Sequence, residues 1–109
     1  MVAALTVATA AAESGSGKGI RVWNLTSSTI KHLYLSPAGQ DAFGPDQCAL
    51  DPDGAVDHDE RLKLTGIAPG RYDLKIADKS GRVCVVRNLA LQANKVVSVQ
   101  DGDLTDCHP

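Results

Sequence analysis

From residue 20 onward, the chain consists of short apolar runs in which polar residues alternate with apolar ones. Strict alternation over four to eight residues is typical of a strand with one buried face. At residues 71–78, three apolar side chains share one face, and Asp73 and Lys75 share the other. The run at residues 83–91 is apolar on both faces, which predicts a central strand. The pattern predicts six strands, at residues 20–26, 30–36, 61–67, 71–78, 83–91 and 95–100.

Turn signals separate these runs, and no segment shows a convincing helical period. Pro69 and Gly70 mark one turn, and the Gly81-containing segment at residues 79–82 predicts a hairpin loop. Short connections favour antiparallel pairing. The sequence therefore predicts an all-β fold: a small antiparallel β-sandwich or barrel of about six strands, with one long connection at residues 38–60. We expect a single domain at residues 20–109.

The first twelve residues, MVAALTVATAAA, are uncharged and apolar or small. A bilayer span needs about 20 apolar residues, so no membrane span is predicted. The segment suits the apolar core of a secretory signal, with A-x-A cleavage sites ending at Ala10 and Ala12. It lacks the usual preceding Lys or Arg, which suggests either a start further upstream or a shortened chain. The alternative to a secretory signal is an alanine-rich helix packed on the domain. We expect a signal peptide at residues 1–12, a flexible linker at residues 13–19, and a periplasmic or extracellular protein.

Charge is balanced overall but segregated along the chain. The 11 Lys and Arg residues against 13 Asp and Glu give a formal net charge of −2, which argues against a nucleic-acid-binding protein. Residues 41–60 hold seven of the acidic residues and no Lys or Arg. An acidic loop therefore contrasts with a basic remainder.

Part of this loop resembles the twelve-residue calcium loop of an EF-hand. In residues 49–60, ALDPDGAVDHDE, carboxylates stand at four ligand positions: Asp51, Asp53, Asp57 and Glu60. Oxygen ligands suit Ca²⁺, and Gly54 stands where the loop turns sharply. Ala49 occupies the first ligand position and the flanks do not predict helices, so this is no true EF-hand. The alternatives are a Ca²⁺ site and a solvated, turn-rich loop.

Cys48, Cys84 and Cys107 permit at most one internal disulfide. In an exported protein, oxidation is the expected state. The valines around Cys84 favour a buried thiol there, whereas Cys48 and Cys107 lie in polar segments that can approach each other. We therefore predict a Cys48–Cys107 disulfide, with a Cys84–Cys107 disulfide as the alternative.

No combination of residues indicates catalysis. Cys107 and His108 adjoin at a terminus, which does not hold them in attack geometry. His58 stands among acidic residues without metal-ligand spacing, and residues 24–26 form a formal glycosylation sequon. We expect a non-catalytic binding module for an unknown protein or small ligand, with a calcium-binding module as the alternative function.

Two resemblances to known families add to this picture. The following motifs occur in one order across residues 20–91: Asn24-Leu25-Thr26, Leu33-Tyr34-Leu35-Ser36-Pro37, Asp41-x-Phe43-Gly44-x-Asp46, and Tyr72-Asp73-Leu74 with Asp78-x-x-Gly81. This order resembles small secreted bacterial β-sandwich proteins of unassigned function, which implies export and the fold but no activity. Phe43 stands where those proteins usually have tryptophan, and Arg71 where a cysteine is expected, so the resemblance supports no shared disulfide. Residues 66–74 are also similar to the strand entry of transthyretin-like and carboxypeptidase-regulatory-like sandwiches.

Overall fold

The computed structural model describes residues 18–109. The predicted signal peptide and most of the predicted linker lie outside the described residues. The described residues form a short 3-10 helix at Asp101–Asp103 and seven strands: β1 (Arg21–Leu25), β2 (Ile30–Pro37), β3 (Arg61–Lys63), β4 (Gly70–Asp78), β5 (Val83–Leu91), β6 (Val96–Gln100) and β7 (Thr105–His108). The prediction of an all-β sandwich is therefore confirmed.

The strands build two sheets that enclose one core. One sheet has three strands in the order β3-β1-β6, and the other has four in the order β2-β4-β5-β7. Alternation along each strand sends one face inward, so β1 buries Val22 but leaves Trp23 on the outer face. The core contains, among others, Val22, Leu62 and Val99 from the three-stranded sheet, and Leu33, Leu74, Ile76 and Val86 from the four-stranded one. Burial of each such side chain stabilises the fold by about 1.5–3 kcal/mol.

The pairing of β1 with β6 departs from the predicted antiparallel arrangement. These two strands run parallel, from the pair Arg21–Val96 to the pair Leu25–Gln100. All other strand pairs are antiparallel. Strands that pair in parallel need a long crossover, and here β2, β3, β4 and β5 lie between β1 and β6 along the chain.

The long connection at residues 38–60 is fastened to both sheets. The amides of Gly44 and Gln47 donate to carbonyls of β2, at Leu35 and Leu33. The buried Gln47 side chain also accepts from the Thr65 amide at 2.8 Å and donates to the Thr65 carbonyl at 3.2 Å. Further along, Val56 forms an isolated antiparallel bridge with β2. The acidic loop therefore covers one edge of the four-stranded sheet.

The disulfide joins Cys84 to Cys107, so the predicted Cys48–Cys107 disulfide is wrong and the alternative pairing is correct. Strand β7 carries Cys107 alongside β5, which carries Cys84. Cys48 is instead the free cysteine, fully buried beside the start of β2, with its Sγ 3.9 Å from the Ile30 carbonyl oxygen. The sequence-based choice failed because it took β7 for a loose terminus. A disulfide is typical of an oxidising compartment outside the cytoplasm.

Within residues 18–109, no helix is long and apolar enough to span a membrane.

Candidate functional site

The outer face of the three-stranded sheet carries positive charges around the only tryptophan of the chain. In the pairing of β1 with β3, Arg21 lies opposite Lys63, and Trp23 lies opposite Arg61. Directly opposite residues of an antiparallel pair share a face, with Cβ atoms about 4.5–5.5 Å apart. We call this group of four side chains, Arg21, Trp23, Arg61 and Lys63, the basic face.

The sequence places these residues together through strand alternation. Val22 and Leu62 are buried in the core, so their neighbours along each strand point outward. Arg61 and Lys63 are exposed, whereas Trp23 is half-buried. A shift of one residue in register would bury the charged side chains, and this penalty fixes the outward orientation of the basic face.

Trp23 is held between a cation and a carboxylate. The guanidinium carbon of Arg61 lies 4.1 Å from the centroid of the ring, in cation–π geometry. The indole Nε1–H donates to Asp59 Oδ1 at 3.0 Å. Asp59 reaches this position from a left-handed backbone conformation, with φ of 71°. These two contacts fix the ring, and the stacked ring in turn restricts the guanidinium plane of Arg61.

The cations of the basic face lack acidic partners. Across the described part of the chain, no carboxylate oxygen lies within 4.0 Å of the charged groups of Arg21, Arg61 or Lys63. Arg21 instead donates to the carbonyl oxygens of Gly19 and Asn94, each at 3.2 Å. With three cations and one flanking carboxylate from Asp59, the face attracts anions. A guanidinium can bind a carboxylate or sulfate through two parallel hydrogen bonds.

The structure does not gather the four predicted calcium ligands. Among residues 18–109, no three His, Cys, Asp or Glu side chains are arranged to hold a metal ion. Asp51 accepts from the Asp53 amide at 3.0 Å, and Asp57 accepts from the Thr29 hydroxyl at 2.9 Å. Glu60 accepts from the Asp57 amide, also at 2.9 Å. These carboxylates accept hydrogen bonds from backbone amides of the turns and from a neighbouring hydroxyl, as is typical of a turn-rich loop.

A buried carboxylate on the four-stranded sheet has a structural role. Asp73 is 2% exposed and accepts from the amides of Gly39 (2.9 Å) and Asn88 (3.0 Å). These two hydrogen bonds, assisted by the guanidinium of Arg87 at 3.4 Å, lower the pKa of Asp73. Asp73 therefore joins the long loop to the bulge in β5.

The histidines and the free cysteine do not form a nucleophile–base pair. His32 Nδ1 lies 2.7 Å from Asp46 Oδ2, and His58 donates to the Thr26 carbonyl at the same distance. Burial pushes the pKa of Asp46 upward, but the hydrogen bonds from His32 and from two backbone amides outweigh it and lower that pKa. Burial, followed by the nearby acidic charges, raises the pKa of the Cys48 thiol to about 12. Cys48 is therefore a protonated core residue rather than a nucleophile.

The sequon asparagine is inaccessible. Asn24 is fully buried, and its side-chain amide donates to the carbonyls of Ser28 (2.8 Å) and Val56 (2.9 Å). Its carbonyl oxygen accepts from the Thr26 amide at 3.0 Å. Asn24 thus closes the turn after β1 and leaves no room for a glycan in the folded protein.

Comparison with known proteins returned no family model, curated protein or solved structure similar to this chain.

The alternation in residues 20–26 puts Arg21 and Trp23 on one side of β1, but the sequence alone did not identify the basic face. The available signal was the alternation of Arg61, Leu62 and Lys63, which predicts outward cations on β3. The missing information was the neighbour of each strand. Only the β1–β3 register brings Arg61 over Trp23.

Proposed function

We propose that this protein is an exported, non-catalytic β-sandwich that binds an acidic polysaccharide through its basic face. The observation that carries the proposal is Arg61, stacked on Trp23 at 4.1 Å and without a carboxylate partner in the described residues. A cation that is oriented before binding loses less entropy when it binds an anion. Export is supported by the apolar segment at residues 1–12 and by the Cys84–Cys107 disulfide.

A polysaccharide suits an outer sheet face better than an acidic peptide does. The backbone groups of β1 are engaged on both sides, by β3 and by β6, so the face around Trp23 offers side chains only. A peptide lying there would bury its own amides and carbonyls without partners, which is costly. A glycan has no peptide backbone to satisfy, and its carboxylates or sulfates can pair with Arg61, Lys63 and Arg21.

The test is calorimetric titration of the folded domain with heparin and with alginate, which carry sulfates and carboxylates respectively. We expect saturable binding that weakens as ionic strength rises, because salt screens exposed charges. Arg61→Glu and Lys63→Glu should each weaken binding about tenfold, the effect of roughly 1.4 kcal/mol. Arg61→Lys should have an intermediate effect, since lysine keeps the charge but lacks the planar fork.

Lys79→Glu is the matched control, because it makes the same charge change in the exposed β4–β5 hairpin. It should bind like the parent protein. Equal losses of affinity in Lys79→Glu and Lys63→Glu would show that binding depends only on the net charge of the protein, and would contradict the proposal. If poly-glutamate bound more tightly than either polysaccharide, the ligand class would be an acidic peptide and not a glycan.

A further inference from the structure

Strand β6 leaves one edge of the three-stranded sheet unpaired. The order β3-β1-β6 gives β6 a neighbour on one side only. The Arg21 amide donates to the Lys95 carbonyl at 3.1 Å, so the carbonyl of Lys95 points towards β1. Since alternate residues of a strand bond to the same neighbour, the backbone groups of Val96 and Ser98 point away from β1.

This edge lacks the protection found at the other sheet edges. The β2 edge is covered by the segment 44–47, β3 has only three residues, and β7 is followed by Pro109. Strand β6, VVSVQ, contains no proline, charge or bulge, and the Val96 side chain is 38% exposed. Unprotected edges of this kind pair with other strands.

We infer that two copies of this chain pair through β6 in antiparallel orientation, centred on Ser98. Lys95 immediately precedes β6 and Asp101 immediately follows it. Antiparallel pairing about Ser98 brings Lys95 of one copy opposite the partner's Asp101, and symmetry repeats this pair. Parallel pairing in register would place like charges side by side. Asp101 Oδ1 accepts from the Ser27 amide of its own copy at 3.0 Å, so the partner's Lys95 would pair with Oδ2. This charge complementarity identifies a second copy as the occupant, and a twofold axis closes the assembly as a dimer.

The hydrogen-bonding groups of the edge fit this register. Each Ser98 amide would donate to the partner's Ser98 carbonyl, and each Val96 amide would donate to the partner's Gln100 carbonyl. The Gln100 amide remains within its own copy, because it already donates to Asp103 Oδ2 at 2.9 Å. Among the residues that line a cavity of about 210 Å³ beside Val96, only Lys95 is charged, and in this register it lies opposite the partner's Asp101.

The dimer would extend the three-stranded sheet across the twofold axis and bring both basic faces to the same side. Residues directly opposite in an antiparallel pair share a face, so the outward Ser98 side chains of the two copies meet on that side. A polymeric anion could then contact both faces at once, which raises its apparent affinity. This consequence rests on the proposed function, whereas the pairing of β6 does not.

The test is sedimentation equilibrium of the folded protein over a wide concentration range, without any ligand. We expect a monomer–dimer equilibrium, weakened about tenfold or more by Lys95→Glu because an attractive cross-strand pair becomes repulsive at two symmetric places. Lys79→Glu, the same charge change outside this edge, should dimerise like the parent. Ser98→Pro removes an outward-facing donor, which an edge strand tolerates, and should give a monomer with an unchanged fold.

Circular dichroism spectra and thermal midpoints measured on diluted monomer identify any variant that fails to fold. As a readout independent of variants, hydrogen exchange at the Val96 and Ser98 amides should slow as the concentration of the parent protein rises. A parent that stays monomeric at millimolar concentration would overturn the inference. So would a dimer that forms equally well in Lys95→Glu and Ser98→Pro. None of these results depends on polysaccharide binding.

Discussion

Removal of the Cys84–Cys107 disulfide should destabilise the domain strongly. The bond fastens β7, all of whose residues are exposed, to the inner strand β5. Strand β7 therefore gains little from burial and depends on the covalent link. The same bond closes a chain segment that includes most of β5, all of β6 and the 3-10 helix. The double variant Cys84→Ala with Cys107→Ala removes the link without leaving a reactive thiol in its place.

The size of the effect follows from the length of the closed loop. The two cysteines are 23 residues apart in sequence. In the chain-entropy account, closing a loop of this size disfavours the unfolded state by about 3 kcal/mol. At about 4–8 °C per kcal/mol for a domain of 60–100 residues, the midpoint of thermal unfolding should fall by about 15 °C.

Thermal unfolding followed by circular dichroism, with and without a reductant, measures this effect. The thermal midpoint of the parent protein should fall by about 15 °C on reduction. The double variant should show the lower midpoint from the start, and the reductant should not change it. Cys48→Ala is the control: it should lose some stability from the cavity at a buried site but keep its full response to reductant. Unreduced, denatured parent protein should contain one reactive thiol, that of Cys48.

Two results would refute this reasoning. A parent midpoint that does not move on reduction would show that the link contributes nothing to folding. A Cys48→Ala variant that loses its response to reductant would show that Cys48 belongs to the bond.

Further outcomes test other parts of the structure. Asn24→Asp should destabilise the fold by about 3 kcal/mol in chemical denaturation, because a buried carboxylate would face carbonyl oxygens; an unchanged midpoint would contradict its buried position. Asp73→Asn should cost about 2 kcal/mol through weaker hydrogen bonds to the amides of Gly39 and Asn88, and Asp41→Asn, at an exposed carboxylate beside the same arginine, should cost far less. The lowered pKa of Asp73 stabilises the fold above the ordinary carboxyl pKa, and this contribution should be lost as the pH falls below about 4. Millimolar Ca²⁺ should leave the thermal midpoint unchanged, whereas a rise that Glu60→Gln abolishes would establish the calcium site.

Local pattern in the sequence was sufficient to identify most strands. The strand at residues 83–91 was predicted with its full length and as a central strand, and it lies inside its sheet, between β4 and β7. The alternation in residues 30–36 puts Leu33 and Leu35 on one face, and both are buried, because burial of one face dictates a period of two. Such signals depend only on neighbouring residues along the chain.

Information about contacts between distant residues was absent from the sequence pattern. Strand β7 has no buried residue, so alternation could not reveal it, and the pairing of Cys107 with Cys84 was lost with it. The predicted strand at residues 61–67 ends at Lys63, since Gly66 turns in the left-handed region with φ of 73°. For the acidic loop, spacing alone could not tell ligands from turn-forming carboxylates.

The fluorescence of Trp23 during titration with heparin tests the central claim most directly. Trp23 is the only tryptophan in the chain and forms part of the basic face, so its emission reports on that face alone. We predict a saturable change in emission for the parent protein and for Lys79→Glu, with a midpoint shifted about tenfold higher in Lys63→Glu, the effect of roughly 1.4 kcal/mol. Emission that stays constant while heparin binds, or an identical titration in Lys63→Glu, would contradict binding at the basic face.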